Sequence, residues 1–402
     1  MELIKLGLIF ISIVVVLKFR KNLSLAISLA TLVTALLFQI PLSQFMDVVS
    51  KSIVSPATLT ILLVFYLVGY LQRMLEARGS LRLAQSSLDG IFKSKRITTA
   101  LAPFLLGLLP SPSVVLMAGD IVNQSVGEHL NKEEKAFVTS FYRHIPESFL
   151  PMFSSILIAI NLTEGRIELS AFILGMIPMI IVMMGLGHLF YLRRVPKTIE
   201  GKHPPLKESL IKLIKGSWPI ALIIFWILAF KRPVYEAALL SIVVFVGVGK
   251  FTLSELKKTV FTAFEKNLML STFFIMIFKD VLLATQVIEG LPSLFASLPV
   301  SDAIIFALIF FVGTLVGGSQ AIAVIGLPLL FLTLPNAGFP IFILVMGMAF
   351  IANQLTPTHV CLPITAEYFK IDFSALVKQS LPTVAAFIVI LYAYYEVLNL
   401  FI

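Results

Sequence analysis

Apolar runs of nearly 20 residues recur from one end of this chain to the other, and no other feature limits its fold so severely. Each run matches the roughly 30 Å hydrocarbon thickness of a bilayer. In that medium backbone amides and carbonyls must be satisfied internally, which leaves helices or closed barrels. Barrel strands would show short apolar–polar alternation, whereas these runs are continuous. Charged residues make up 13% of the chain, about half the roughly 25% of a soluble domain. The expected fold is therefore an all-α polytopic membrane protein.

The first run, Leu6 to Leu17, is followed rather than preceded by Lys18, Arg20 and Lys21 and has no small-residue cleavage site. It reads as a retained helix, not a signal peptide. The single cysteine, Cys361, excludes an internal disulfide and a thiolate-rich zinc or iron–sulfur centre. The net charge of +9 does not imply nucleic acid, because the basic residues lie between apolar segments and form no aromatic-interleaved patch.

Ten crossings are expected: 3–17, 24–40, 53–72, 136–160, 169–192, 217–230, 236–249, 267–286, 341–366 and 380–400. Stretches 98–126 and 303–334 are apolar but carry Gly and Pro near their centres. They read as re-entrant hairpins that enter and leave on one side. With both termini outside, the inner segments hold 24 Lys and Arg and the outer segments 5. That asymmetry satisfies the positive-inside rule and implies a multi-pass protein of the inner (plasma) membrane.

The halves align at one offset. Phe19-Arg20-Lys21 falls on Phe230-Lys231-Arg232, Gly79 on Gly290 and Pro146 on Pro357, each 211 residues apart. Five crossings per half is an odd number, so the second half starts on the opposite face. The chain is thus expected to hold two inverted repeats, each of five transmembrane helices plus one re-entrant hairpin. Such repeats place substrate and coupling-ion sites between them near the bilayer midplane. The basic link 193–216, with Pro204-Pro205, reads as a partly helical cytoplasmic connector on the anionic leaflet. Stretches 76–96 and 287–300 read as interfacial helices.

Four breaks interrupt the apolar pattern, and irregular backbone at depth is tolerated only where it is buried in protein or lines a cavity. Hairpin 98–126 carries Ser111, Pro112 and Ser113 at its tip; the prolines cannot sit in an intact helix, so carbonyls and hydroxyls are freed for ligation. Crossing 136–160 contains Arg143, His144, Pro146, Glu147 and Ser148. A charge at that depth is paired or faces water; Asp120 on the returning hairpin arm is the expected partner of Arg143, and Glu147 the candidate for cation or proton coupling. Hairpin 303–334 carries Gly317, Gly318, Ser319 and Gln320, where glycines expose backbone amides. Crossing 341–366 holds Asn353, Thr356, Thr358 and His359 around Pro357. Neutral oxygens there suit sodium, with Ser111, Ser113, Ser319 and Thr356 the candidate ligands, while His359 suits a proton or an anion. Lys279 and Asp280 are adjacent and do not face one another on a helix, so each is expected to find another partner, packing against the other half.

Two opposed hairpins with Ser-, Pro- and Gly-containing tips beside broken helices resemble the ion transporter superfamily of gluconate permeases, citrate–metal symporters, sodium–dicarboxylate symporters and sodium/proton antiporters. Within that pattern the chain most resembles a prokaryotic ten-helix family catalogued as a domain of unknown function. The resemblance implies a homodimer with a mobile, elevator-like transport domain, here 98–192 plus 303–402, on a scaffold of 1–97 plus 217–302. It implies secondary transport of a small organic anion, a carboxylate or sugar acid, coupled to sodium or protons, with no cofactor beyond bound sodium. The dicarboxylate symporters carry Ser-Asn-Thr at both site halves, which this sequence lacks. A sodium/proton antiporter titrating Glu147, Asp120 and the histidines is the second reading. An intramembrane enzyme is disfavoured, since the sequence contains neither H-E-x-x-H nor G-x-S-x-G.

Overall fold

A computed structural model describes residues 5, 8, 9, 11–13, 15, 16 and 23–401, apart from 93, 109–113, 198–203, 286–299 and 358. The first half contains α1 (Leu23–Leu37), α2 (Leu42–Val54), α3 (Pro56–Ala77), the short α4 (Ser80–Gln85) and α5 (Leu88–Phe92), α6 (Lys95–Leu106), α7 (Val114–Val126), α8 (Lys132–His144), α9 (Ser154–Leu162) and α10 (Leu169–Phe190). The second contains α11 (Leu206–Phe230), α12 (Val234–Val248), α13 (Leu253–Thr262), α14 (Lys266–Ala284), α15 (Asp302–Thr333), α16 (Phe339–Asn353), α17 (Cys361–Phe369) and α18 (Phe373–Phe401). No strand occurs among the described residues.

Local sequence explains where helices start. Ser55 caps α3 by accepting from the Thr58 amide at 3.1 Å, with Pro56 in the first turn, where its missing N–H leaves no bond unmade. Asn131 and Glu134 form a reciprocal capping box that opens α8, and Thr252 with Glu255 does the same for α13. Among the described residues, α3, α10, α11, α14, α15 and α18 are long and apolar enough to cross a membrane, and α1, α12 and α16 are shorter apolar helices. The chain is a multi-pass, all-helical membrane protein.

Every expected crossing from 24–40 onward falls on a described helix or a broken pair of helices; 3–17 lies largely outside the described residues. Two features differ from the sequence reading. Segments 41–52 and 250–266, read as plain connections, hold helices α2 and α13. The crossing expected at 217–230 is the second part of a 25-residue helix that begins at Leu206, so the end of the link is continuous with the span. The stretch 76–96 forms two short helices after a left-handed Gly79 (φ 59°), while 287–299 lies outside the described residues.

Helix α15 folds back on itself. Gly318 adopts φ 83° and ψ 163° inside it, a conformation open in practice only to glycine. As a result Gly326 abuts the Phe310 ring and Gly313 abuts the Ile322 side chain. In a straight helix residues 310 and 326 would stand about 24 Å apart. Helices α6 and α7 also pack as a pair; residues 109–113 between them lie outside the described residues.

Helices α1 and α12 end 211 residues apart, at 37 and 248. Contacts occur in exchanged pairs: α1 with α14 and α12 with α3, α9 with α15 and α17 with α7, α18 with α8 and α10 with α16. Helices α6 to α10 pack mainly among themselves and with α15 to α18. Helices α1 to α4 pack mainly with α11 to α14. The two groups touch where α3 meets α9, α4 meets α6, α10 meets α11 and α14 meets α15.

Candidate functional site

Two prolines define the site. Helix α8 ends at His144 because Pro146 has no amide to continue the ladder; the chain tightens into a 3-10 turn, Ile145–Ser148, and resumes as α9 only at Ser154. Helix α16 ends at Asn353, and Pro357 precedes the restart of α17 at Cys361. Helix α16 packs on the 3-10 turn and α17 packs on α8, so the two interruptions meet inside the bundle.

Their side chains converge. The Nε2 atoms of His144 and His359 are 2.9 Å apart, with the rings in an edge-on arrangement at 84°. Glu147 places Oε1 3.8 Å from His144 Nε2 and Oε2 3.7 Å from His359 Nε2. Arg143 Nη1 lies 3.4 Å from Glu147 Oε1. Ser140 Oγ sits 3.2 Å from His144 Nδ1. His144 is fully buried, whereas the Glu147 and His359 side chains keep 12% and 19% of their surface exposed. A buried cluster of one carboxylate, two imidazoles and a guanidinium with a small exposed edge can exchange protons or hold a charged ligand.

The α15 bend is tied to the same region. Asn353 Nδ2 donates to Ser319 Oγ at 2.9 Å, Thr356 Oγ1 donates to the Leu315 carbonyl at 2.7 Å, and Gln320 Nε2 donates to Ser154 Oγ. The hairpin tip therefore bonds to both breaks. On the other side Gly107, at the end of α6, lies against the Arg143 carbonyl with no room for a side chain.

The structure thus brings together Glu147, His144, Arg143 and His359, and beside them Ser319, Gln320, Asn353 and Thr356, with Gly317 and Gly318 half-buried at the bend. Ser111, Pro112, Ser113 and Thr358 lie outside the described residues. Ser148 turns into its own 3-10 turn, donating to the Ile145 carbonyl at 2.7 Å. The expected Arg143–Asp120 pair is replaced: Arg143 meets Glu147 one turn ahead, and Asp120 accepts from the Tyr368 hydroxyl. Lys279 Nζ pairs with Glu164 of the first half at 3.0 Å, and also reaches its neighbour Asp280 at 3.4 Å, because the long lysine stem bends where the backbone directions diverge. Sequence reasoning left out Ser140, Ser154 and Cys361; for Cys361 the spacing His359-Val360-Cys361 was the available signal.

A family model described as "Protein of unknown function (DUF401)" matches residues 3–398. Among solved structures, the Alcanivorax borkumensis YdaH transporter, described as having an unusual topology, is similar at 12% identity and a TM-score of 0.63, over 90% of this chain and 89% of that one. At that identity the likeness is one of fold. No curated protein matches the chain.

Proposed function

We propose that this chain, which belongs to the DUF401 family of proteins of unknown function, is a secondary active transporter that moves a small organic anion, a carboxylate or sugar acid, coupled to sodium or protons. The observation that carries the reading is the meeting of two proline-broken helices, through His144 and His359, beside the folded tip of α15. Broken helices aim amide ends at an anion and free carbonyls at a cation. The fold likeness to the YdaH transporter is in keeping with it.

The inverted-repeat organisation and membership of the ion transporter superfamily belong to this reading. The exchanged pairs of helix contacts and the 211-residue offset of α1 and α12 are what a pseudo-twofold axis would produce. The arms of α15 on either side of Gly318, 302–317 and 319–333, are about 24 and 22 Å long at 1.5 Å per residue. Each is too short for a comfortable crossing of roughly 30 Å, which suits a re-entrant hairpin. The grouping of α6–α10 with α15–α18 matches a transport domain of 98–192 plus 303–402, sliding in an elevator-like homodimer with both termini outside the inner membrane. Ser319 and Thr356, with Ser111 and Ser113, supply the sodium ligands in this scheme.

One observation favours a second reading, the sodium/proton antiporter: the cluster His144–Glu147–His359 is titratable and has a small exposed edge. Thermal stabilisation of purified protein separates the two. Ligand binding raises the melting temperature with ligand concentration over affinity. Cation-dependent stabilisation by one small carboxylate is the expected result. A response to sodium and pH alone, with none to any carboxylate or sugar acid, overturns the anion reading in favour of antiport.

A further inference from the structure

We infer that His144, His359 and Cys361 form a binding site for a thiophilic first-row cation, with Zn²⁺ the best match. One ligand atom from each of the three lies within 4.8 Å of those of the other two. They come from two pieces of backbone distant in sequence: the end of α8 carries His144, and the segment leading into the first turn of α17 carries His359 and Cys361. Such convergence is unusual for side chains that only fill space. Two imidazoles and a thiolate are a donor set chosen by zinc and by copper(I), not by sodium or magnesium, which take oxygen. Three protein ligands leave a fourth position for water or an anion, and Glu147, 3.8 and 3.7 Å from the two imidazole nitrogens, borders it.

The two nitrogens need little adjustment. Tetrahedral zinc at about 2.0–2.1 Å from each nitrogen sets the nitrogens about 3.3 Å apart; the Nε2 atoms stand at 2.9 Å. In the metal-free state one imidazole N–H donates to the other ring, and that bond holds the pair in place. Ser140 Oγ at 3.2 Å from His144 Nδ1 is a second-shell partner of the kind that fixes the tautomer and leaves Nε2 free to ligate. Arg143 faces the Glu147 carboxylate at 3.4 Å and also hydrogen-bonds Cys361, a bond the cation replaces as the guanidinium turns wholly to Glu147. Binding converts the Cys361 thiol to thiolate and releases one proton to solvent. The narrow exposed edges of His359 and Glu147, 19% and 12% of their side-chain surface, give an entry path.

This inference stands on geometry and not on the transport reading; the thermal-shift panel tests that reading, and metal titration tests this one. Full-length protein in detergent is stripped with chelator and titrated with Co²⁺, a spectroscopic stand-in for zinc. Cys361 is the only cysteine in the chain, so a thiolate-to-cobalt charge-transfer band reports this residue without any variant. The expected result is one equivalent per chain giving that band, displaced by Zn²⁺, lost in Cys361→Ser, and weakened in affinity by at least about tenfold in His359→Ala. Absence of the charge-transfer band in folded wild-type protein overturns the inference, as does undiminished Zn²⁺ affinity in Cys361→Ser. Should the variants fail to fold, the wild-type spectrum alone decides.

Discussion

His144 and His359 are 215 residues apart in the chain, yet their Nε2 atoms approach to 2.9 Å. With Glu147, whose Oε2 lies 3.7 Å from His359 Nε2, this contact ties the two halves together where both backbones are broken. An imidazole pair at that distance needs one ring to donate and the other to accept. The arrangement is therefore held only while at least one ring is neutral.

The pair should be energetically coupled. His144→Ala and His359→Ala each remove the same hydrogen bond, so the double variant is expected to lose less stability than the sum of the singles. Contacting residues typically show a coupling of about 0.5–3 kcal/mol. Thermal unfolding of the four proteins closes the cycle. Strict additivity would mean that the contact carries no net energy.

Arg143 is 1% exposed and faces Glu147. Removing one partner of a buried ion pair strands the other charge, at a cost of about 3–5 kcal/mol. Arg143→Met is expected to fall in that range, and Arg143→Met combined with Glu147→Gln to recover much of it. If the double variant is as unstable as Arg143→Met alone, the arginine acts through packing and not through charge.

Several of these features could be read before any coordinates. Pro146 and Pro357 announce helix ends because proline lacks the amide, and Gly317-Gly318 announces a bend. The connecting helices α2 and α13 were missed because their mixed composition resembles that of a loop, and only capping by Thr252 and Glu255 marks α13. The meeting of His144 with His359 depends on how α17 packs against α8, which no local pattern encodes. Arg143 was matched with Asp120 on depth alone; the tight 3-10 turn at 145–148 instead carries Glu147 back to it.

Gly318 should resist substitution more than its neighbour. At φ 83° and ψ 163° an L side chain is strained, by about 1–3 kcal/mol, whereas Gly317 has no positive φ. Gly318→Ala is expected to lower the melting temperature clearly and to disturb the Asn353–Ser319 and Thr356–Leu315 bonds. Gly317→Ala should do so much less. Equal effects would place the demand for glycine in close packing and not in the bend.

The last prediction concerns pH. Glu255, at the start of α13, is held at about 2 against an ordinary 4.5, first by its bonds to the Arg78 guanidinium and then by the Thr252 backbone and hydroxyl. Arg78 Nη1 donates to Glu255 Oε1 at 2.7 Å, joining the first half to the second. Because the folded-state value is depressed, the contribution is fully present above about 4.5 and fades as pH falls through about 2. Wild type and Glu255→Gln should therefore differ in melting temperature at pH 7 and at pH 5 by nearly the same amount, with the gap narrowing below about 4.5 and closing only near pH 2. The carboxylate is exposed, so added salt should shrink the difference at every pH. A gap that closes as pH falls from 7 to 5 would show that another group, one that takes up its proton in that range, and not this carboxylate, controls the contact.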